Sequence, residues 1–320
     1  MKITALVTSF NDPIATRRCV NALLKQTCPL TAILVIDNSK NQTIFVTDFC
    51  ERTAESPELV ICHFPENVGV SGAIHEAVKF ATIKQCSYLW TFDQDSVPQL
   101  DAAEKIIAAM DFQGHNHKGL HASLAYDGGQ QRFLFGYRLN RFKFEEILAA
   151  DTQKPYFCDG TITSGMLIPM IPLINELLPA KALFIDGVDH ELCLNFLSNG
   201  YRVLMIPESR LVHHMGQPTM GQCLWGVSSR TVHNYSPLRK FYITRNHSYL
   251  ETRFALREGA LFSALLWRMR VSYHMLRESL FERREWLWAS IWSIALGTLL
   301  GICGKLVPYN KLPAPVRKLF

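Results

Sequence analysis

The first hundred residues alternate between short apolar runs and amphipathic stretches. "KITALVTSF" has an apolar centre and reads as a buried strand. In "ATRRCVNALLKQT", Cys19, Val20, Leu23 and Leu24 share one helical face. "AILVIDNS" and "LVICHF" are two more buried strands, and "SGAIHEAVKFA" is a helix after a Gly-containing turn. "YLWTF" is a fourth strand, followed by a helix over "LDAAEKIIAAM". Strands alternating with helices predict an α/β fold with a mostly parallel central sheet. Ligands of such sheets bind beyond the carboxyl ends of the strands. Polar clusters stand at those ends: Ser9 to Asp12, Asp37 to Ser39, and Asp93 to Ser96.

The middle of the chain is less regular. "QRFLFGYRL" and "TITSGMLI" read as strands, some of them antiparallel. "VDHELCLNFLSNG" is a helix closed by Asn199-Gly200. "YRVLMI" and "SRLVHH" read as two short strands. From Arg253 onward the pattern is helical and basic, so a main domain over 1–250 and a helical region over 251–320 are expected.

Composition narrows this picture. The 320 residues suffice for one large domain and an appendage, and 48% hydrophobic content supplies a core. A net charge of +5 suits anionic small molecules or an anionic membrane, and nucleic acid would require a denser basic patch. Nine cysteines without a CxxC pair point to reduced thiols in a cytosolic setting. "MKITALVTSFND" turns polar too soon for a signal peptide. The segment 286–304, "WLWASIWSIALGTLLGICG", carries no charge. Arg283 and Arg284 precede it, Lys305 and Lys311 follow it, and three tryptophans cluster near its start. It is expected to meet a membrane, as a span or as a lying or re-entrant helix, with a buried core helix as the alternative.

The chemistry begins at "LWTFDQDSVP". Asp93 and Asp95 are like charges two residues apart, and a divalent cation is the simplest way to hold both. With "VTSFND", "VIDNS", "NVGVSGAIHEA", "TSGMLI", "FIDGVDHELCL", "LVHHMG" and "PLRKFYITRN" in order, the chain resembles family 2 inverting glycosyltransferases, specifically their bacterial rhamnosyltransferase branch. "DQDS" with "FIDGVDHE" is the specific part of a likeness that covers roughly residues 3 to 250. It departs from the family's pattern at Leu192, where Trp is common, at Asn195, where Arg is common, and at Ser9-Phe10, where Thr-Tyr is usual.

The resemblance implies a GT-A fold, a nucleotide-sugar donor, Mg²⁺ or Mn²⁺, and a lipid-linked saccharide acceptor at the cytoplasmic face of the bacterial inner membrane. The favoured reaction moves L-rhamnose from dTDP-L-rhamnose to a hydroxyl in surface polysaccharide (O-antigen-type) synthesis. Asp95 is the leading metal ligand and Asp93 the second, through water or the donor's ribose. His213 completes that site on its HxxG spacing, with His214 as the rival. Asp189, at a helix start, is the candidate general base; it would be kept ionised by the helix amides. Glu191 would hold the acceptor or orient that helix. Asp37 would bond the donor's pyrimidine with Thr8 and Asn11 beside it, or serve as a turn former. Asn67 and Gly69 open a helix toward the donor. Ser164 and Gly165 would line the sugar or acceptor pocket. Arg239, Lys240 and Arg245 form either a diphosphate contact or a solvated basic face.

Three other readings stand beside this one. A family 2 enzyme could take another UDP- or GDP-hexose. "LWTFDQDSV" also fits the nucleophile strand of haloacid-dehalogenase-type phosphatases, although those chains begin with that strand. A membrane-bound scaffold without turnover would have no need of Asp93, Asp95, Asp189 and His213 together.

Overall fold

The structure is a computed structural model of the chain and describes residues 1–49, 55–110, 118–214, 219–222, 229–282, 284–308 and 311–312. Strands β1 (Ile3–Ser9) and β2 (Ala32–Asp37) are buried along nearly their whole length, so their sequences run apolar instead of alternating. Between them α1 (Pro13–Leu24) starts on a proline, and the Asp12 side chain accepts the Ala15 N–H at 2.9 Å. Then come β3 (Glu58–His63), α2 (Gly69–Ile83), β4 (Tyr88–Asp93), β5 (Ser96–Pro98) and α3 (Ala102–Ala108). The middle contains β6 (Leu120–Asp127), β7 (Arg132–Leu134), β8 (Tyr137–Asn140), β9 (Lys143–Glu146), β10 (Tyr156–Cys158), β11 (Met166–Pro169), the single turn α4 (Met170–Pro172), α5 (Val188–Ser198) and β12 (Val203–His213). A small ribbon of β13 (Thr219–Gln222) and β14 (Ser229–Val232) precedes α6 (Pro237–Arg257), α7 (Leu261–Ser279) and α8 (Leu287–Ile302).

The main sheet runs β10-β12-β6-β11-β4-β1-β2-β3, with β5 added on β12 and β7 on β6. The parallel ladders, β3-β2-β1-β4 and β6-β12, pair six to eight residues each, and the antiparallel ones only two to four. The mostly parallel sheet expected from the sequence is therefore present.

The local differences have physical causes. β6 lies between β11 and β12, yet the sequence reading passed over it, because the buried polar residues His121 and Ser123 interrupt its apolar run. In "TITSGMLI" only Met166–Pro169 is strand; Gly165 before it has φ +80°. "QRFLFGYRL" breaks at Gly136, φ +84°. "YRVLMI" and "SRLVHH" are one strand, β12, whose register shifts between Ile206 and Arg210, where Pro207 lacks an N–H to donate.

The chain divides into two compact units. Residues 1–138, 144–181 and 189–215 form the first, which holds the main sheet; residues 139–143, 182–188 and 216–320 form the second. The boundary expected near 250 falls inside α6, a continuous helix that belongs to the second unit. Ser290, Ser293, Gly297 and Gly301 of α8 are buried, and a Cβ on Gly297 would stand 2.7 Å from the Phe241 carbonyl of α6. These small residues let the two helices approach closely. The spanning form of the 286–304 expectation is not met: α8 has 16 residues, and no helix among the described residues is long and apolar enough to cross a membrane.

Candidate active site

Strand register assembles the site. Parallel pairing sets Thr8 beside Asp93 and Ser9 beside Asp37. Antiparallel pairing of β12 with β5 sets His213 opposite Ser96. Residues far apart in sequence thus meet at the carboxyl edge of the sheet.

Asp93, Asp95 and His213 form one cluster whose ligand atoms lie within 4.8 Å of one another. Asp95 Oδ1 is 3.4 Å from His213 Nδ1. That oxygen is buried and accepts no hydrogen bond among the described residues. Burial pushes the Asp95 carboxyl above the usual range, and His213 pulls it partly back. A buried carboxylate oxygen without a donor is what a cation would relieve. Two carboxylates and an imidazole suit a hard divalent ion such as Mg²⁺ or Mn²⁺. The choice between His213 and His214 follows from strand alternation, with His213 buried and His214 exposed. The ring of His214 lies against Gly128 instead, and the His214 backbone N–H donates to the Asp95 carbonyl at 3.1 Å.

A hydroxyl chain holds this cluster. His213 Nδ1 is 2.7 Å from Ser96 Oγ, which is 2.5 Å from Ser164 Oγ, which accepts the Asp93 N–H at 3.1 Å. Ser164 is 1% exposed, so its main contact is the carboxylate turn and not a pocket surface. Gly165 serves the backbone: besides its positive φ, a Cβ there would come 2.2 Å from Leu211. Gln94, between the two aspartates, clamps the Phe10 loop through Oε1 to the Phe10 N–H (2.6 Å) and Nε2 to its carbonyl (3.1 Å). Neither Ser96 nor Gln94 received a role from the sequence; a side chain's partner across 80 or more positions leaves no local signal.

On the donor side, Asp37 is fully buried, and its two oxygens accept the N–H groups of Ser39 and Thr43, each at 3.0 Å. Its carboxylate organises the loop after β2, as the turn-forming alternative anticipated. Thr8 is half-buried. Asn11 is exposed with φ +53°, and its N–H reaches Ser39 Oγ at 2.8 Å. The opening amides of α2 expected to face the donor already have acceptors. Asn67 Oδ1 takes the Gly69 N–H and Asn38 Oδ1 takes the Val68 N–H, both at 2.9 Å. These caps satisfy donors that a helix start leaves open.

Asp189 is the second residue of α5, and its Oδ1 accepts the His190 N–H at 2.9 Å. Tyr137 is close enough that the Asp189 charge, after burial, raises its phenol pKa. The His190 ring packs on Phe144 and Tyr137, with centroids 4.6 and 5.4 Å away. This aromatic group went unnoticed in the sequence because its members lie in three separate elements. Cys193 of α5 contacts the Thr161 carbonyl, so the loop that carries Ser164 touches both α5 and the carboxylate turn. Glu191 is 3% exposed and accepts the Ala180 N–H at 2.6 Å, an orienting role and not an acceptor contact.

In the second unit the basic trio does not act together: Lys240 and Arg245 are buried, and of the three only Arg239 is exposed. Lys240 is buried, ion-paired with Glu282 and bonded to Ser279 and Ser290 at 2.9 and 3.0 Å. Arg245 is fully buried, and Arg239 pairs with Asp186 at 3.2 Å.

Residues 4–164, half of the chain, match the Glycosyl transferase family 2 model. The chain is 24% identical over 245 residues to the dTDP-rhamnosyl transferase RfbF of Shigella flexneri, covering 76% of this chain and 78% of that protein. Residues 1–349 of S. aureus TarS, in complex with UDP-GlcNAc, superpose with a TM-score of 0.56 at 14% identity, over 97% of this chain and 82% of that one. GalNAc-T7 with UDP, GalNAc and Mn²⁺ gives 0.54 at 15% identity over 67% of this chain, which covers only 44% of that enzyme's. The shared fold is GT-A, and the phosphatase alternative falls, since β1, β2 and β3 precede the strand that carries "LWTFD" and the matching family model is a glycosyltransferase's. The matched residues include the turn that carries Asp93 and Asp95, and the chain belongs to glycosyl transferase family 2.

Proposed function

We propose that this glycosyltransferase inverts configuration as it moves L-rhamnose from dTDP-L-rhamnose to a hydroxyl of a lipid-linked glycan, in the synthesis of a bacterial surface polysaccharide of the O-antigen type. The single observation that carries the reaction class is the Asp93–Asp95–His213 cluster at the carboxyl edge of the sheet. The likeness to RfbF supports the donor. Asp95 and His213, with Asp93, would hold Mg²⁺ or Mn²⁺, which when bound supplies Lewis-acid neutralisation of a diphosphate leaving group. Ser96 orients the His213 ring, and Ser164 ties down the Asp93 backbone. Asp189, in the first turn of α5, takes the proton from the attacking hydroxyl. One base without an internal nucleophile makes the transfer a single displacement, so the anomeric configuration inverts. Tyr137 stays protonated and neutral beside that base. A donor panel tests the reading: dTDP-L-rhamnose against UDP- and GDP-hexoses, followed by ligand-observed NMR with Mg²⁺. Binding and turnover of dTDP-L-rhamnose with an inverted product are expected. Binding of a UDP- or GDP-hexose in its place would overturn the donor assignment.

The acceptor's lipid implies a membrane surface, and the second unit supports one. α7 exposes Phe262, Leu266, Met269 and Tyr273, spaced along one helical face. α8 exposes Trp288, Trp292 and Leu299 on the face opposite its buried small residues. Arg257, Arg270, Arg277 and Lys305 are exposed on or beside these helices. Apolar rows with aromatic and basic neighbours suit an interfacial helix on anionic lipid at the cytoplasmic face of the inner membrane. The chain should float with anionic vesicles, and Trp288→Ser with Trp292→Ser should release it. A wild-type chain that stays with the soluble fraction would refute this.

A further inference from the structure

α6 carries two adjacent, fully buried polar residues that the mechanism leaves unused, Arg245 and Asn246. Asn246 Oδ1 accepts from Arg245 Nε at 2.8 Å and from Nη2 at 2.6 Å. The guanidinium also donates to the carbonyls of Val307 (2.6 Å), Leu183 (3.3 Å) and Ala182. Its carbon stands 4.7 Å from the Tyr242 ring centroid and 5.5 Å from that of Phe241. So held, the Asn246 amide nitrogen shares its two N–H groups among three carbonyls: Leu183 at 2.9 Å, Ile185 at 2.7 Å and Asp186 at 2.7 Å.

Those carbonyls belong to the segment 182–188, whose backbone is unusual. Phe184, Asp186 and Gly187 have φ of +66°, +58° and +76°. Side-chain-bearing residues rarely adopt that region, and they persist there only where the surroundings over-determine it. The left-handed turns bring the carbonyls of Leu183, Ile185 and Asp186 round to one donor, and neither helix nor sheet would satisfy them. Gly187 packs tightly as well: a Cβ there would meet Asn246 Cβ and Leu250 at 3.4 Å. The chain continues directly from Gly187 through Val188, the first residue of α5, to Asp189.

We infer that Asn246, aligned by Arg245, is a positioning residue for the general base: it holds the segment 182–188 in the left-handed form from which α5, and with it Asp189, departs. The inference rests on the reading of Asp189 as that base. It also gives Arg245 and Asn246 a role other than the diphosphate contact or solvated basic face that the sequence offers for this stretch.

The test is a double-mutant cycle. Release of dTDP from dTDP-L-rhamnose, with water in the acceptor's place, is followed in single turnovers with Mg²⁺ at saturating donor. Wild type, Asn246→Ala, Asp189→Asn and the double variant are compared, and dTDP affinity is measured by calorimetry. Asn246→Ala should slow wild type by about 10- to 100-fold, as displacement of a catalytic group does. It should leave dTDP affinity within about 2-fold and cost less than about 2-fold more in the Asp189→Asn background. Equal losses in both backgrounds would mean that Asn246 acts on stability alone and would overturn the inference. Should Asn246→Ala fail to fold, Asn246→Ser, which keeps one donor, is read by the same criteria. A wild-type rate for Asp189→Asn overturns the base assignment itself, whereas a slow Asp189→Asn beside an unaffected Asn246→Ala overturns only the positioning role.

Discussion

Ser164→Ala removes one oxygen from the hydroxyl chain behind the carboxylate cluster. That oxygen is the acceptor for the Asp93 N–H at 3.1 Å and a partner of Ser96 Oγ at 2.5 Å, in a side chain 1% exposed. Ser96 keeps His213 at 2.7 Å, so the larger loss falls on the Asp93 amide. An unsatisfied buried donor costs about 1–3 kcal/mol. The nucleotide-free chain should lose stability by that amount, read as a lower denaturation midpoint at unchanged slope. The same amide anchors the turn that carries Asp93 and Asp95. If re-ordering that turn falls on ligand binding, dTDP affinity in Mn²⁺ weakens by about 5- to 100-fold, since each 1.4 kcal/mol is tenfold. Calorimetric titration of dTDP with and without Mn²⁺ reads this directly. A lower midpoint with unchanged Mn²⁺-dependent affinity would show that Gln94 and the strand register hold the turn by themselves, and the reasoning from Ser164 would be refuted.

Other consequences are open to measurement. Asp189→Asn keeps size and capping ability, so folding and dTDP affinity should hold while single-turnover transfer falls about 10²–10⁴-fold, equivalent to about 3–5 kcal/mol; near-wild-type turnover, or a product that retains configuration, would disprove it. Gly165→Ala meets both a left-handed backbone and a Cβ 2.2 Å from Leu211, so a loss of about 2–5 kcal/mol is expected by urea denaturation, and a neutral variant would contradict the geometry. Glu251 in α6 is ion-paired with Arg268, yet burial lifts its carboxyl from an ordinary 4.5 to about 7. The folded chain therefore binds that proton more tightly than the unfolded one. Its contribution to stability is full below about pH 4.5 and is lost as pH rises to about 7. Glu251→Gln should flatten that part of the stability–pH curve, and an unchanged curve would place the proton elsewhere.

Much of the site was legible because its signals are local. β1, β2 and β4 are predominantly apolar, and the rule that ligands gather at the carboxyl edge needed only their order. Asp93 and Asp95 stand out through mutual repulsion two residues apart. Roles that depend on what lies opposite were not legible. Asp37 offers the same carboxylate to a nucleobase or to its own loop, and the amides of Ser39 and Thr43 take it. Lys240 and Arg245 follow a helical pattern that looks solvated, until α7, α8 and the 182–183 carbonyls surround them.

From the sequence alone come the periodicities, the turn residues and the charges that cannot stand unpaired, since each of these acts within a few residues of chain. The tertiary structure decided that His213 and not His214 joins the carboxylates, because strand alternation turns one ring inward. It also decided that Ser96 meets His213 across 117 positions and that Asn246 meets Asp186 across 60. A hydrogen bond is formed by two atoms about 3 Å apart, and no pattern along one dimension records which distant atom the fold will bring there.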